Sequence, residues 1–437
     1  MKAVNIGLVG LGTIGCGTVD ILQRNRSVLK DRLGASIDIV RASDIDLKRP
    51  RPVELPARIL TPDAWEVIRD PEVQIMVELI GGIEPARSLI LEAFDRGKHV
   101  VTANKALLST HWSELVSKAD DRGVTLGFEG SVAGGIPLIR AIKVGLVANR
   151  IRSVTGIING TCNYILTRMH REGRPFPEIL GEAQAMGYAE ADPALDVEGV
   201  DAAQKLAVLV NLCFNSPVSH ADILHRGITE ITPLDLEMAE EFGFRVKLLA
   251  SATQVEDEVE AWVYPALVPE GHPLATVDGV FNAVYIEDDN LGPSLYYGRG
   301  AGDLPTGSAV VADIVSCARD ILSGAVARLP VGGQRHGLGS QKRVSLSDDT
   351  RSEFYVRMSA ADRPGVLSTI AGILGRNEIS IASVIQRGRE SAQGEGVPIV
   401  MITHEASYSR MMTAIGEIDD QEVVVGNSFS MRILRSD

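Results

Sequence analysis

The chain of 437 residues carries 45% hydrophobic and 23% charged residues, a balance that excludes wholesale disorder and suggests two to four domains of about 100–200 residues each. Its formal net charge of −14 repels a phosphate backbone, so nucleic acid is not an expected partner. No run of about 18 apolar residues offers a membrane span, and the four scattered cysteines (Cys16, Cys162, Cys213, Cys317) form no CxxC pair, so neither a zinc cage nor a disulfide framework is indicated.

Residues 4–9 (VNIGLV) read as a buried strand, followed by a glycine turn and a helix from about Ile14 to Gln23. Further strands are expected at 36–43 (SIDIVRAS), 73–81 (VQIMVELIG), 98–103 (KHVVTA) and 124–130 (VTLGFEG), with helical patterns between them such as 85–97. Strands that alternate with helices imply a parallel sheet covered on both faces. The fold class is therefore α/β at the N-terminus, a Rossmann-like domain over 1–140. From about residue 141 the rhythm becomes mixed, and 141–306 reads as an α+β domain with an open sheet. Its helices are expected at 161–173, 176–187 and 200–214. A long helix at 307–324 could pack back on the first domain. Residues 325–350, rich in Gly, Ser, Arg and Gln, read as a linker. The tail, 351–437, has the order βαββαβ, the split βαβ pattern of ferredoxin-like domains.

Gly10-x-Gly12-x-x-Gly15 follows a strand and opens a helix. In that setting the first glycine makes the turn, the second lets the backbone approach a pyrophosphate, and the third lets helix and strand pack closely. The anion sits on free N–H groups at the helix N-terminus. At the end of the second strand, Asp44 is placed to bind a ribose 2′-hydroxyl and Arg41 to accept a 2′-phosphate; both also read as solvated strand-end charges. NAD and NADP both stay open.

The segment 187–205 gathers Glu190, Asp192, Asp196, Glu198 and Asp201 and ends in Lys205. Asp201 and Lys205, four apart on a helix, share a face. The bland reading is a solvated ion pair. The residues around Lys205 are strongly apolar, however, and a lysine partly buried beside carboxylates is suited to proton transfer. Lys105 lies just past the fourth strand, where open α/β sheets bind ligands, or else is a surface lysine at a helix start. Asn159-Gly160-Thr161 matches a glycosylation pattern, which means little without a secretion route. The N-terminus runs straight into a strand pattern without a cleavage site, so a reduced, cytoplasmic setting is expected.

Together, GLVGLGTIGCGTV, TANKALL, EGSVAGGIP, GIINGTCNYILT, AQAMGYAEADPALDVEGVDAAQKLAVL and YYGRGAGDLPTGSAVVADI resemble the homoserine dehydrogenases, in the family's order and over most of residues 4–325. The tail resembles an ACT domain, with DRPGVL as its signature loop. The resemblance implies NAD(P)-dependent interconversion of L-homoserine and L-aspartate 4-semialdehyde, in threonine, methionine and isoleucine biosynthesis. It makes Lys205 the acid/base, with Asp201 and Asp196 positioning substrate or tuning the lysine. Glu190 would hold the substrate amino group, and Lys105 would lie near both nicotinamide and substrate. Cofactor contacts are expected at Gly10, Gly12, Thr13, Ile14, Gly15, Arg41, Thr102, Lys105, Gly187 and Gly302. EGSVAGGIP matches a sodium loop, with Glu129, Val132, Gly134 and Ile136 as ligands through their carbonyls. The resemblance also implies L-threonine as an effector near Asp362 and Gly365, and a homodimer or homotetramer assembled in part through the middle domain.

Two other readings compete. A cysteine-dependent aldehyde dehydrogenase would use Cys162 as its nucleophile, favoured by a helix start. A non-catalytic sensor of dinucleotide and amino acid would use the tail, and Lys205 with its acidic segment argues against it.

Overall fold

Six short strands open the chain: β1 (Ala3–Val9), β2 (Ser36–Ser43), β3 (Leu60–Thr61), β4 (Ile75–Glu78), β5 (His99–Thr102) and β6 (Leu126–Gly127). The computed structural model describes residues 2–325, 329–333, 342–345, 350–386 and 396–434. These strands are all parallel and lie in the order β3-β2-β1-β4-β5-β6. Chain order reverses between β1 and β4, which leaves a crevice at the carboxyl ends where doubly wound sheets take their ligands.

Two strands are shorter than the apolar runs suggest. β4 stops at Glu78 because that carboxylate accepts the N–H groups of Ile80 and Gly81, turning the chain. β6 stops at Gly127, where a Cβ would lie 2.8 Å from the Cβ of Asp313. The Asp313 carboxylate then takes the Glu129 N–H at 2.8 Å, and the chain continues as a 3₁₀ turn, Glu129–Ser131.

The helix expected at 307–324 runs Asp303–Ser323 and, far along the chain, packs on Thr13–Arg24. A Cβ at Gly307 would lie 2.9 Å from the Gly17 carbonyl carbon, so this contact requires a small residue. Val310, Ile314 and Cys317 share one apolar cluster with Val4, Leu8 and Val19.

A second sheet runs Gly292–Arg299, Phe281–Asp288, Ile151–Ile157, Phe244–Val255 and Glu258–Pro269, all antiparallel. It does not end there. Phe429–Ile433 pairs in parallel with Glu258–Pro269, and Phe354–Ala360, Val397–Thr403 and Ile381–Gln386 follow. The tail thus has the expected βαββαβ order, with helices Val366–Arg376 and Tyr408–Asp419, and its sheet extends that of the middle domain. The two are also latched by Asp235. This fully buried carboxylate accepts from Tyr355 Oη at 2.8 Å and Arg357 Nε at 2.7 Å.

The stretch expected as a linker is partly packed. Val331 is buried and its carbonyl accepts from Lys143 Nζ at 3.0 Å, while Arg343–Ser345 pairs with Glu258–Glu260. The rest of 325–350 falls largely outside the described residues.

Candidate active site

The glycine loop is built as its sequence requires. Gly10 has φ +103°, and a Cβ there would lie 2.8 Å from the Leu79 carbonyl. Gly15 abuts the Gly10 carbonyl with no room for a side chain. Gly12, by contrast, has open space where a Cβ would be. The helix Thr13–Arg24 starts without a side-chain cap or an acid in its first turn, so its leading N–H groups face that space. These residues fit a dinucleotide pyrophosphate.

Both charges considered at the end of β2 are engaged. Arg41 pairs with Asp70 at 2.8 Å. Asp44 accepts from Leu11 N at 2.9 Å and Asp46 N at 3.0 Å, so it ties the glycine loop to the turn after β2. A cleft of about 330 Å³ beside Gly12 is bordered instead by Arg49 and Arg51, which sequence reasoning missed.

The second group centres on the helix Val200–Phe214. Helical spacing puts Asp201 beneath Lys205, and the Lys205 ammonium donates to Asp201 Oδ2 at 2.7 Å and to the Ile158 carbonyl at 2.9 Å. Lys105, the first residue of Lys105–Arg122, reaches Asp201 Oδ1 at 3.0 Å from the other domain. Asn159 donates to Asp196 Oδ1 at 2.7 Å and Asp201 Oδ2 at 2.9 Å, while its own Oδ1 caps the helix Gly160–Glu172. Burial works to raise the Asp201 carboxyl, but Lys205 and Lys105 hold it down at about 2. Burial likewise works to lower the Lys105 ammonium, and Asp201, with Asp196 and Glu190 behind it, keeps it above its ordinary value. Two ammonium groups are therefore clamped on one carboxylate.

Asn159 was missed because Asn-Gly-Thr read as a modification pattern; its place just before a helix was the available clue. Glu190 is exposed on the loop before Asp196. Thr102 is buried, with its hydroxyl on Glu78 at 2.5 Å. Gly187 and Gly302 adopt φ +76° and +121°, and Gly302 caps the helix Asp303–Ser323. Cys162 is fully buried, donates to the Asp196 carbonyl at 3.2 Å, and burial pushes its thiol well above the ordinary value. That is no setting for a thiolate nucleophile.

Glu129, Val132, Gly134 and Ile136 lie together in the loop after β6, which Gly134 N anchors to the Gly300 carbonyl at 2.8 Å. Both Glu129 carboxylate oxygens are taken, by Ile139 N at 2.8 Å and Arg140 N at 2.9 Å. Burial, then Asp313, raises the Glu129 carboxyl to about 7. Asp362 and Gly365 are exposed at the start of Val366–Arg376 in the tail, apart from these groups in sequence and fold.

Residues 137–315 match the homoserine dehydrogenase family model, 10–129 the model of its NAD-binding domain, and 354–420 the ACT domain. The homoserine dehydrogenase of Pseudomonas aeruginosa is 42% identical over 434 residues, covering 99% of each chain. The chain belongs to the homoserine dehydrogenase family. A relative from Bacillus subtilis is 38% identical over 97% of this chain and 96% of its own. Among solved structures, a homoserine dehydrogenase from Thiobacillus denitrificans matches with TM-score 0.91 at 41% identity over 99% of both chains. The enzyme from S. aureus matches with TM-score 0.77 at 32% identity, again over 99% of both. The protein is an NAD(P)-dependent oxidoreductase acting on a CH–OH group, with homoserine dehydrogenase activity, and belongs to amino-acid biosynthesis. No helix among its described residues is long and apolar enough to cross a membrane.

Proposed function

We propose that the crevice between β1 and β4 holds the dinucleotide and that Lys205 is the acid/base of homoserine oxidation and aspartate 4-semialdehyde reduction. The observation that carries this reading is the Asp201 carboxylate held between Lys205 and Lys105. When bound, the nicotinamide supplies or accepts the hydride. Lys205 holds a proton at Nζ and delivers it to the substrate oxygen as negative charge builds there. Asp201 fixes the ammonium, and Asn159 holds Asp201 and Asp196 in place. Glu190 and Asp196 meet the substrate ammonium, and Lys105 stands between substrate and nicotinamide. Gly10, Gly12, Thr13, Ile14 and Gly15 carry the pyrophosphate. Gly187, Gly302 and the Thr102 turn complete the cofactor cleft. Arg49 favours NADP over NAD, since Asp44 is committed to Leu11, Asp46 and Arg51, and Arg51 is held in turn by Asp44 and by main-chain carbonyls. Arg41, held on Asp70, is a more remote candidate for the same phosphate.

A sodium ion in the Glu129–Ile136 loop fits main-chain ligation, because the Glu129 carboxylate is spent on Ile139 and Arg140. The carbonyls of Glu129, Val132, Gly134 and Ile136 would hold it, an oxygen set suited to a hard cation. L-Threonine is the proposed effector at Asp362 and Gly365. A cytoplasmic homodimer or homotetramer completes the reading, with domains at 1–140, 141–306 and 351–437.

The test is the rate of homoserine oxidation with NAD and with NADP, each with and without threonine. Turnover with NADP ahead of NAD, slowed by threonine, is expected. Equal rates would remove the cofactor preference, and indifference to millimolar threonine would remove the effector.

A further inference from the structure

Glu78 ends β4, and its partner across the sheet, Thr102, ends β5. Both side chains are fully buried at the carboxyl edge of the sheet, beside the reversal in strand order. Glu78 Oε1 accepts from Ile80 N at 2.9 Å and Gly81 N at 3.1 Å, and Oε2 accepts from the Thr102 hydroxyl at 2.5 Å. The same hydroxyl accepts from Asn104 N at 3.0 Å. Asn104 then donates through Nδ2 to the Gly82 carbonyl at 2.7 Å and caps the next helix by accepting Leu107 N at 3.1 Å. The first residue of that helix is Lys105.

The donors on Glu78 are neutral, and burial pushes its carboxyl above the ordinary value. A carboxylate can take all three bonds, whereas an amide has one acceptor oxygen and presents an unwanted donor on the other side. Shaping a turn alone does not explain an acid in a site this dry. The relay has a direction: it fixes both loops at the crevice edge and ends on the cap that orients Lys105.

We propose that Glu78 is a positioning residue for the reaction, acting through Thr102 and Asn104 to fix the helix start that presents Lys105 to Asp201. This rests on the proposed role of Lys105. Glu78 is not placed on the substrate itself.

The experiment is a double-mutant cycle of Glu78→Gln with Lys105→Ala, read as kcat and KM for homoserine and as NADPH affinity without substrate. Glu78→Gln is expected to raise KM for homoserine or lower kcat by about tenfold in the parent, and by less than about twofold in the Lys105→Ala background. NADPH affinity should stay within about twofold. Equal losses in both backgrounds, or a loss confined to NADPH affinity, would overturn the proposal, since a purely structural role predicts either. Should Glu78→Gln fail to fold, Thr102→Val breaks the same relay and must give the same coupling with Lys105→Ala in kcat and KM for homoserine at saturating NADP, its NADPH affinity being left aside because the Thr102 turn borders the cofactor cleft. If Lys105→Ala alone changes neither kcat nor KM, the reading of Lys105 fails, and this proposal with it; coupling lost while Lys105→Ala is impaired rejects Glu78 alone.

Discussion

Asp201 and Lys105 meet at 3.0 Å, one from the helix Val200–Phe214 and the other from the helix that follows β5. The contact joins the two domains at the point where Lys205 also binds the carboxylate. The geometry of this proposed acid/base group therefore depends on how the domains sit against each other.

If Lys205 carries the proton, Lys205→Ala should cut turnover by about 10²–10⁴-fold, the usual weight of a positioned acid/base. Cofactor binding should survive, as read by NADPH fluorescence. Unchanged turnover would remove Lys205 from the mechanism.

Asp201 makes a prediction about acid. Its folded pKa, about 2, lies below the unfolded value of about 3.9. Its contribution to stability is thus present above pH ~4 and is lost as pH falls through about 2. The parent should lose stability on acidification across this window more steeply than Asp201→Asn, which takes up one proton fewer. Urea unfolding at a series of pH values gives both slopes; parallel curves would contradict the assignment.

Cys162→Ser should retain turnover within a few-fold, because the buried thiol acts as a small core group. An abolished rate, with the fold intact by circular dichroism, would revive the thiolate chemistry.

Arg49→Ala should raise KM for NADP by about tenfold and leave KM for NAD nearly unchanged, the loss of one charge-assisted bond to a phosphate. Affinity for 2′,5′-ADP against 5′-AMP reads the same contact without turnover. An unchanged ratio for the two nucleotides would sink the Arg49 role.

Asp235→Asn should destabilise by about 3–5 kcal/mol, since it removes the charge paired with Arg357 and turns one of the two accepting oxygens shared by Tyr355, Arg357 and Thr232 into a donor. The urea midpoint measures this. Retention of the parent midpoint would mean that the latch between tail and middle domain carries no weight.

Much of this molecule was legible because local rules and tertiary structure agree. The run SIDIVRAS became β2 to the residue because it is rich in β-branched residues, and VDAAQKLAVLVNLCF became one helix, long, apolar and buried on nearly every side. What failed had non-local causes. VTLGFEG shrank to two strand residues because Asp313, nearly two hundred positions later, occupies the space beside Gly127. Asp44 read equally as a ribose ligand and as a solvated strand-end charge, and its bond to the Leu11 N–H, thirty-three positions away, was not legible locally. In the site, Lys205 and Asp201 share a face by spacing alone. Asn159 and Lys105 come to Asp201 from the ends of strands in two different sheets, Ile151–Ile157 and β5, which only the assembled fold brings together.

The fit of Gly307 against Gly17 bears on how this protein is made. Its nucleotide-binding unit is discontinuous, with a wall made from residues near 310. A ribosome exposes the first 140 residues long before that wall exists. Val4, Leu8 and Val19 then lack the cover of Val310 and Ile314. The first third, expressed alone, should therefore aggregate or bind chaperones, whereas a fusion that restores residues 303–323 should be soluble. Completing this unit requires contacts of long sequence separation, and contacts of that kind slow folding.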